Sequence, residues 1–236
     1  MASSSSNSAG CLYVVSTPIG NLGDLSSRAR EVLGTVDIIA CEDTRVTGSL
    51  LALAGIEKPR LISYRDENEI VRATELLGEI KNGSRIAAVA DAGPPTISDP
   101  GFRIVRACRQ EGLPVHVVPG PCAFIAAIAV SGLPSDRFYF CGFLPPKSAA
   151  RRRFLEDHRD FPSTVILYES VHRIEKFLKE ILEVLGDDRI ISVSRELTKK
   201  FETTLTGPAG EICDKVLSQA RKGEFVILIA PATFTL

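Results

Sequence analysis

Short apolar runs alternate with amphipathic segments along the first half of the chain. Leu12–Val15, Val36–Ala40, Leu61–Tyr64, Arg85–Ala90 and Val115–Val118 are brief and rich in Val, Ile or Leu, as strands are. Between them lie helical patterns such as Glu69–Lys81, which places Ile70, Ala73, Leu76, Leu77 and Ile80 on one face. Near-continuous apolar strands separated by helices predict an α/β fold with a mostly parallel sheet covered on both faces. The second half predicts strands at Phe138–Cys141, Thr164–Tyr168, Arg189–Val193, Glu202–Thr206 and Phe225–Ile229. It also contains the clearest helix, His172–Leu185, whose i, i+3, i+4 apolar stripe Gly186 stops. Only Glu196–Phe201 separates the third and fourth of these strands, too little for a crossover helix. That pair is expected to be antiparallel and the second sheet mixed.

The halves meet at the turn-forming stretch Ser131–Asp136. The expected organisation is a Ser-rich tail over 1–10 and two α/β domains over 11–134 and 135–236, with a ligand in the cleft between them. Over 236 residues, 44% hydrophobic and 24% charged content is ordinary for globular domains. A net charge of −1 gives no global basic footprint, so a nucleic-acid partner has to be met by a local patch. The six cysteines show no CxxC spacing, and the three histidines no paired metal-ligand spacing. Reduced thiols in the cytoplasm and no metal site are expected. No apolar run has the roughly 20 residues of a membrane span, and the opening lacks a signal-peptide core.

The chemistry concentrates in loops. No GxGxxG follows the first strand and no GxxxxGK[ST] occurs, so the two standard nucleotide signatures are missing. Instead Thr17–Asn21, Asp91–Gly101 and Pro119–Ala123, each after a predicted strand, are dense in Gly and Pro. Ligands of open α/β sheets sit outside the carboxyl ends of strands, so three such loops predict a small-molecule site. After the second strand, Asp43 or Thr44 caps the next helix, or Glu42, Asp43 and Arg45 form a polar cluster for chemistry; both readings stand at this level. Lys147 and Arg151-Arg152-Arg153 are either a solvated helix face or a phosphate-holding run, and Arg195, Lys199 and Lys200 form a second basic cluster. Tyr168-Glu169-Ser170 with His172-Arg173 closes a strand and opens a helix, where a carboxylate and backbone N–H groups can both face a ligand.

Taken in order, Ser16–Leu22, Cys41-Glu42-Asp43-Thr44-Arg45, the Asp91–Gly101 loop and Pro119-Gly120-Pro121 resemble the tetrapyrrole-methylase superfamily. More narrowly they resemble its ribosomal RNA small subunit methyltransferase I branch. Ser131–Pro134, Asp136–Phe138, Gly142–Pro145, Glu169-Ser170, His172-Arg173, Arg195–Lys199, Phe201-Glu202 and Lys222–Glu224 extend the match. The resemblance implies a homodimer that binds S-adenosylmethionine between two α/β domains. The implied reaction methylates the ribose 2′-hydroxyl of a cytidine in the decoding region of 16S rRNA, within the small ribosomal subunit. It places the cofactor against Ile19, Asp91, Gly93, Pro94, Cys122, Ala123 and Tyr168, and RNA against Lys147, Arg151, Arg152, Arg153, Arg195 and Lys199. Glu42 and Asp43 become candidate bases, and Arg45, Lys200 or Arg195 candidate stabilisers of a developing oxyanion. The rival readings are the same fold acting on a porphyrinoid or a modified protein histidine, and a cofactor-binding module without turnover. Three positions depart from the family pattern: Pro94 stands where Thr is usual, Thr96 where Leu is usual, and Cys122 where Ser is usual. The family's further C-terminal segment is not expected in this chain.

Overall fold

The computed structural model describes residues 10–218 and 223–236. The Ser-rich opening over 1–9 and Lys222 of the Lys222–Glu224 motif lie outside the described residues. The chain divides into two compact units between Cys122 and Ala123.

The first unit holds β1 (Cys11–Val15), α1 (Ser27–Thr35), β2 (Ile38–Cys41), α2 (Thr44–Leu53), β3 (Arg60–Ser63), α3 (Glu69–Lys81), β4 (Arg85–Val89), α4 (Phe102–Gln110) and β5 (Val115–Val118). Its five strands run in the order β3-β2-β4-β1-β5 and every pairing is parallel. One face of the sheet, through Val15, Ile39, Ala87 and Val118, packs on Ala29, Val32 and Leu33 of α1 and Leu51 of α2. The other, through Leu12, Ile38, Ala40, Ile86 and Ala88, packs on Ala73, Leu76 and Ile80 of α3 and Ile104 and Cys108 of α4. Two-sided burial is why these strands read as unbroken apolar runs rather than alternating ones.

This winding creates a switch point. The chain leaves β1 and β2 towards the helices of one face, and leaves β4, which lies between them, towards the other. Loops that part in opposite directions open a crevice at the carboxyl ends of β2, β4 and β1.

The second unit holds α5 (Ala123–Ser131), β6 (Phe138–Phe143), α6 (Ser148–Asp157), β7 (Thr164–Ser170), α7 (Ile174–Leu185), β8 (Ile190–Arg195), β9 (Thr203–Pro208), α8 (Ala209–Ser218) and β10 (Glu224–Ile229). Its order is β6-β7-β10-β8-β9, with β6 and β7 parallel and every other pair antiparallel, the β8–β9 pair included. Helices α6, α7 and α8 cover the side of Val165, Leu167, Val193 and Ile227 in one large core. Helix α5 packs with this sheet through β7, β8, β9 and β10, and the Thr206 hydroxyl donates to the Ser131 carbonyl at 2.8 Å. The Ala-rich helix before Ser131–Asp136 therefore falls in the second unit, whereas the pattern of turns placed a boundary after it. Turn residues report where a chain bends, not which core a helix joins.

No helix among the described residues is long and apolar enough to cross a membrane. All six cysteines are free thiols, and burial pushes Cys108 up to about 11 and Cys213 up to about 12.

Candidate functional site

At the switch point the three Gly/Pro loops are stitched together. Thr17 donates its N–H to the Gly93 carbonyl at 2.9 Å and accepts from the Gly93 N–H at 3.2 Å. Its hydroxyl, buried, donates to the Ala90 carbonyl at 3.0 Å. The Ser16 N–H donates to Val118 at 3.1 Å, and a Cβ on Gly120 would sit 2.8 Å from the Ser16 Cβ. Gly93 has φ +85, and a Cβ there would meet the Ile19 Cγ2 at 3.3 Å and the Pro121 carbonyl at 3.6 Å. Glycine is required at Gly93 by its dihedral and at Gly120 by contact. Of the residues implied for the cofactor, Ile19, Asp91, Gly93, Pro94 and Cys122 belong to this unit; Ala123 opens α5 and Tyr168 lies on β7 of the other.

The long loop is held from its far end as well. The Glu69 carboxylate accepts from the N–H groups of Gly101 at 3.0 Å and Arg103 at 3.2 Å, and from the Tyr64 hydroxyl at 3.1 Å. Between the anchors Thr96 and Ser98 both adopt positive φ, 76° and 62°. Such strain persists only where surrounding contacts over-determine the backbone. Neither Glu69 nor Tyr64 stands out in the sequence, because both act at long range on a loop read there as locally stiff.

Carboxylates gather along the same edge. Asp91 accepts from the Asp43 N–H at 3.1 Å, but burial and the Asp43 charge leave its pKa above the usual range. Glu42 is raised too, by burial and then by the charges of Asp91 and Asp66. Asp99, overlooked inside its loop by the sequence reading, is pushed up to about 7 by burial and then by Glu42, Asp91 and Asp66. Asp43 behaves oppositely. It caps α2 by accepting from the Arg45 N–H at 2.8 Å and pairs with the Arg45 guanidinium at 2.6 Å, which holds it well below the carboxylate range. The capping reading therefore accounts for the position of Asp43. Arg45 spends its charge on that cap.

The basic run of the second unit is also not what its spelling suggested. Arg151 is 2% exposed, and its guanidinium forks onto Glu180 at 2.7 and 2.6 Å while donating to the Pro146 carbonyl at 2.7 Å. It faces the interior of the unit and is corrected from RNA contact to internal anchor, because consecutive helical residues point in different directions. Arg152 pairs with Glu183, and exposed Arg153 lies 3.7 Å from Asp157. Lys147 is exposed ahead of α6. Lys199 bridges Glu196 at 3.1 Å and Glu224 at 2.9 Å, Arg195 ends β8 half-buried, and exposed Lys200 lies over the Phe201 ring at 5.6 Å. Glu169 is buried and turned inward onto Arg173 at 3.1 Å and the Ser170 N–H at 2.7 Å, so it presents no carboxylate to a ligand.

Comparison with known proteins agrees with this architecture. The sequence model of the tetrapyrrole (corrin/porphyrin) methylases matches residues 11–213. A ribosomal RNA small subunit methyltransferase I of Escherichia coli O157:H7 is 49% identical over 228 residues, covering 96% of this chain and 79% of the relative. Its counterpart in Xylella fastidiosa strain Temecula1 is 50% identical over 225 residues, covering 94% and 82%. Among solved structures, the methyltransferase CobJ superposes with a TM-score of 0.68 at 18% identity, covering 96% of each chain. The uroporphyrin-III C-methyltransferase of Thermus thermophilus, complexed with S-adenyl homocysteine, gives 0.61 at 21% identity, covering 93% of this chain and 96% of that one. By family model, sequence identity and fold together, the chain belongs to the tetrapyrrole (corrin/porphyrin) methylase family, in its ribosomal RNA small subunit methyltransferase I branch.

Proposed function

We propose that the chain is an S-adenosylmethionine-dependent methyltransferase that modifies the ribose 2′-hydroxyl of a cytidine in the decoding region of 16S rRNA. The observation that carries the reading is the loop cluster at the carboxyl ends of β2, β4 and β1, where Thr17 and Gly93 lock two loops together and Gly120 lets the third approach. The names of the relatives supply the RNA, and the S-adenyl homocysteine held by the Thermus enzyme supports the cofactor.

The residues at this edge fit such a cofactor. Burial raises the pKa of Glu42, Asp91 and Asp99, and the charge of Asp91 adds to it at Glu42 and those of Glu42 and Asp91 at Asp99, so a cation placed among them relieves both penalties. S-adenosylmethionine carries a sulfonium and an ammonium, and Ile19 beside Gly93 offers apolar surface. Ile19, Asp91, Gly93, Pro94 and Cys122 would hold it, with Ala123 and Tyr168 added by the family resemblance. Pro94 contributes packing and its carbonyl, having no N–H. When bound, the cofactor supplies an electrophilic methyl group; the chain supplies alignment and proton handling.

Glu42 is the carboxylate assigned to the ribose hydroxyl. Its raised pKa suits a proton acceptor better than that of Asp43, which is spent on a helix cap. Arg195 and Lys200 remain the cations for the developing oxyanion, and Lys147, Arg152, Arg153 and Lys199 the phosphate contacts. A cytoplasmic homodimer completes the proposal, with light scattering as the check on its mass.

The test is tritiated methyl incorporation into small ribosomal subunits from cells lacking the modification, followed by ribose-methylation mapping. Label at one cytidine 2′-oxygen is expected. Label on a base, on a porphyrinoid or on protein instead would refute the assignment.

A further inference from the structure

The second sheet carries an aromatic strip on the side away from α6, α7 and α8. In β6, Phe138 pairs with Thr164 and Phe140 with Ile166, but a bulge follows and Gly142 pairs with Leu167. Strand side chains alternate, so in a regular strand Phe143, three positions after Phe140, would point to the opposite side from Phe138 and Phe140. The bulge returns it to their side, opposite Tyr168. Phe124 of α5 stacks on Phe140 at 4.2 Å, Phe140 meets Tyr168 at 5.0 Å, and Tyr168 meets Phe143 at 5.5 Å.

Phe143 ends the strip with 56% of its surface exposed. It is nevertheless firmly held. Gly142 takes a left-handed φ of 63° on one side of it. On the other, Leu144 is buried with its carbonyl accepting from Arg173 at 2.9 Å, and the Pro146 carbonyl accepts from buried Arg151 at 2.7 Å. Two inward-facing arginines thus fix the loop that presents an outward-facing ring. Lys147 follows at once, exposed and in no ion pair among the described residues. A rigid, open aromatic face followed by a cation matches a nucleotide: a flat base and its phosphate.

We propose that Phe143 is the platform on which a nucleobase of the RNA substrate stacks, with Lys147 meeting an adjacent phosphate. This rests on the RNA reading above and extends it to a residue that specifies how the strand is held. Holding the ring in advance lowers the ordering cost of binding.

The chain contains no tryptophan, so Phe143→Trp installs a single fluorophore at the platform. Titration with a short single-stranded RNA containing cytidine should quench it to saturation, while the same RNA with abasic sites should not. In parallel, anisotropy of the labelled RNA should show Phe143→Ala weakened about 5- to 150-fold, the range of stacking one base. The Trp variant should bind like wild type, and Lys147→Gln should flatten the salt dependence. RNA bound without quenching, or wild-type affinity in Phe143→Ala, overturns the platform and leaves the RNA reading intact. Absence of RNA binding by the wild-type chain overturns both. A fall in mass of Phe143→Ala by light scattering makes the ring a contact between copies and also overturns the proposal.

Discussion

Arg151→Ala tests the sharpest difference between how the sequence reads and how it folds. Arg151 and Glu180 have side chains 2% and 1% exposed, and Ser148 adds a bond to Glu180 at 2.5 Å. Burial by itself would raise the Glu180 pKa, but the bonds from Arg151 and Ser148 outweigh it and the net direction is down. Truncation leaves that carboxylate buried with only Ser148, and leaves the Pro146 carbonyl without its donor. Two charge-assisted bonds at about 1.5–3 kcal/mol each agree with the 3–5 kcal/mol typical of breaking a buried pair. Hydrogen-exchange mass spectrometry reads this locally, in peptides from α6 and α7. Amides there that exchange only through unfolding of the unit should exchange about two to nearly four orders of magnitude faster, at 1.36 kcal/mol per decade. A double variant, Arg151→Met with Glu180→Met, should recover most of the loss because no charge is then stranded. Unchanged protection in Arg151→Ala together with weakened RNA binding would refute the inward-facing assignment and restore the basic-run reading.

Three further outcomes are expected. Asp99 has a folded pKa of about 7, above its unfolded value near 3.9, so the folded state favours its protonated form and loses stability as pH rises through that window. Asp99→Asn should therefore show a urea-midpoint advantage over wild type that grows from about pH 4 to pH 7 and then levels; a pH-independent difference would contradict the burial argument. Glu42→Gln should lower methyl incorporation by roughly 10²- to 10⁴-fold with cofactor affinity preserved by calorimetry, whereas Asp43→Asn should cost little of either. Equal losses in both would return Asp43 to the chemistry. Gly120→Ala, whose Cβ would press on the Ser16 Cβ at 2.8 Å, should destabilise the first unit by about 1–3 kcal/mol and weaken S-adenosylmethionine binding. Normal affinity in that variant would show that the third loop does not shape the site.

The sequence by itself determined the elements and their sense. Two-sided burial spelled the parallel strands as apolar runs, and the short Glu196–Phe201 connection fixed β8 and β9 as antiparallel. It also located the loops of the crevice, because glycine and proline mark tight strand ends wherever they occur. Only the tertiary structure decided what each side chain in those segments does. Asp43 became a cap and Glu42 a raised carboxylate though they are adjacent, since one meets Arg45 and the other is buried beside Asp91. Arg151 turned inward while Arg153 stayed in solvent, and a one-residue bulge moved Phe143 across the sheet. Helix α5 joined the second unit because its partners lie on β7, β8, β9 and β10, all later in the chain. Local pattern is set by neighbours a few positions away, but charge, burial and facing are set by residues brought close from far along the chain.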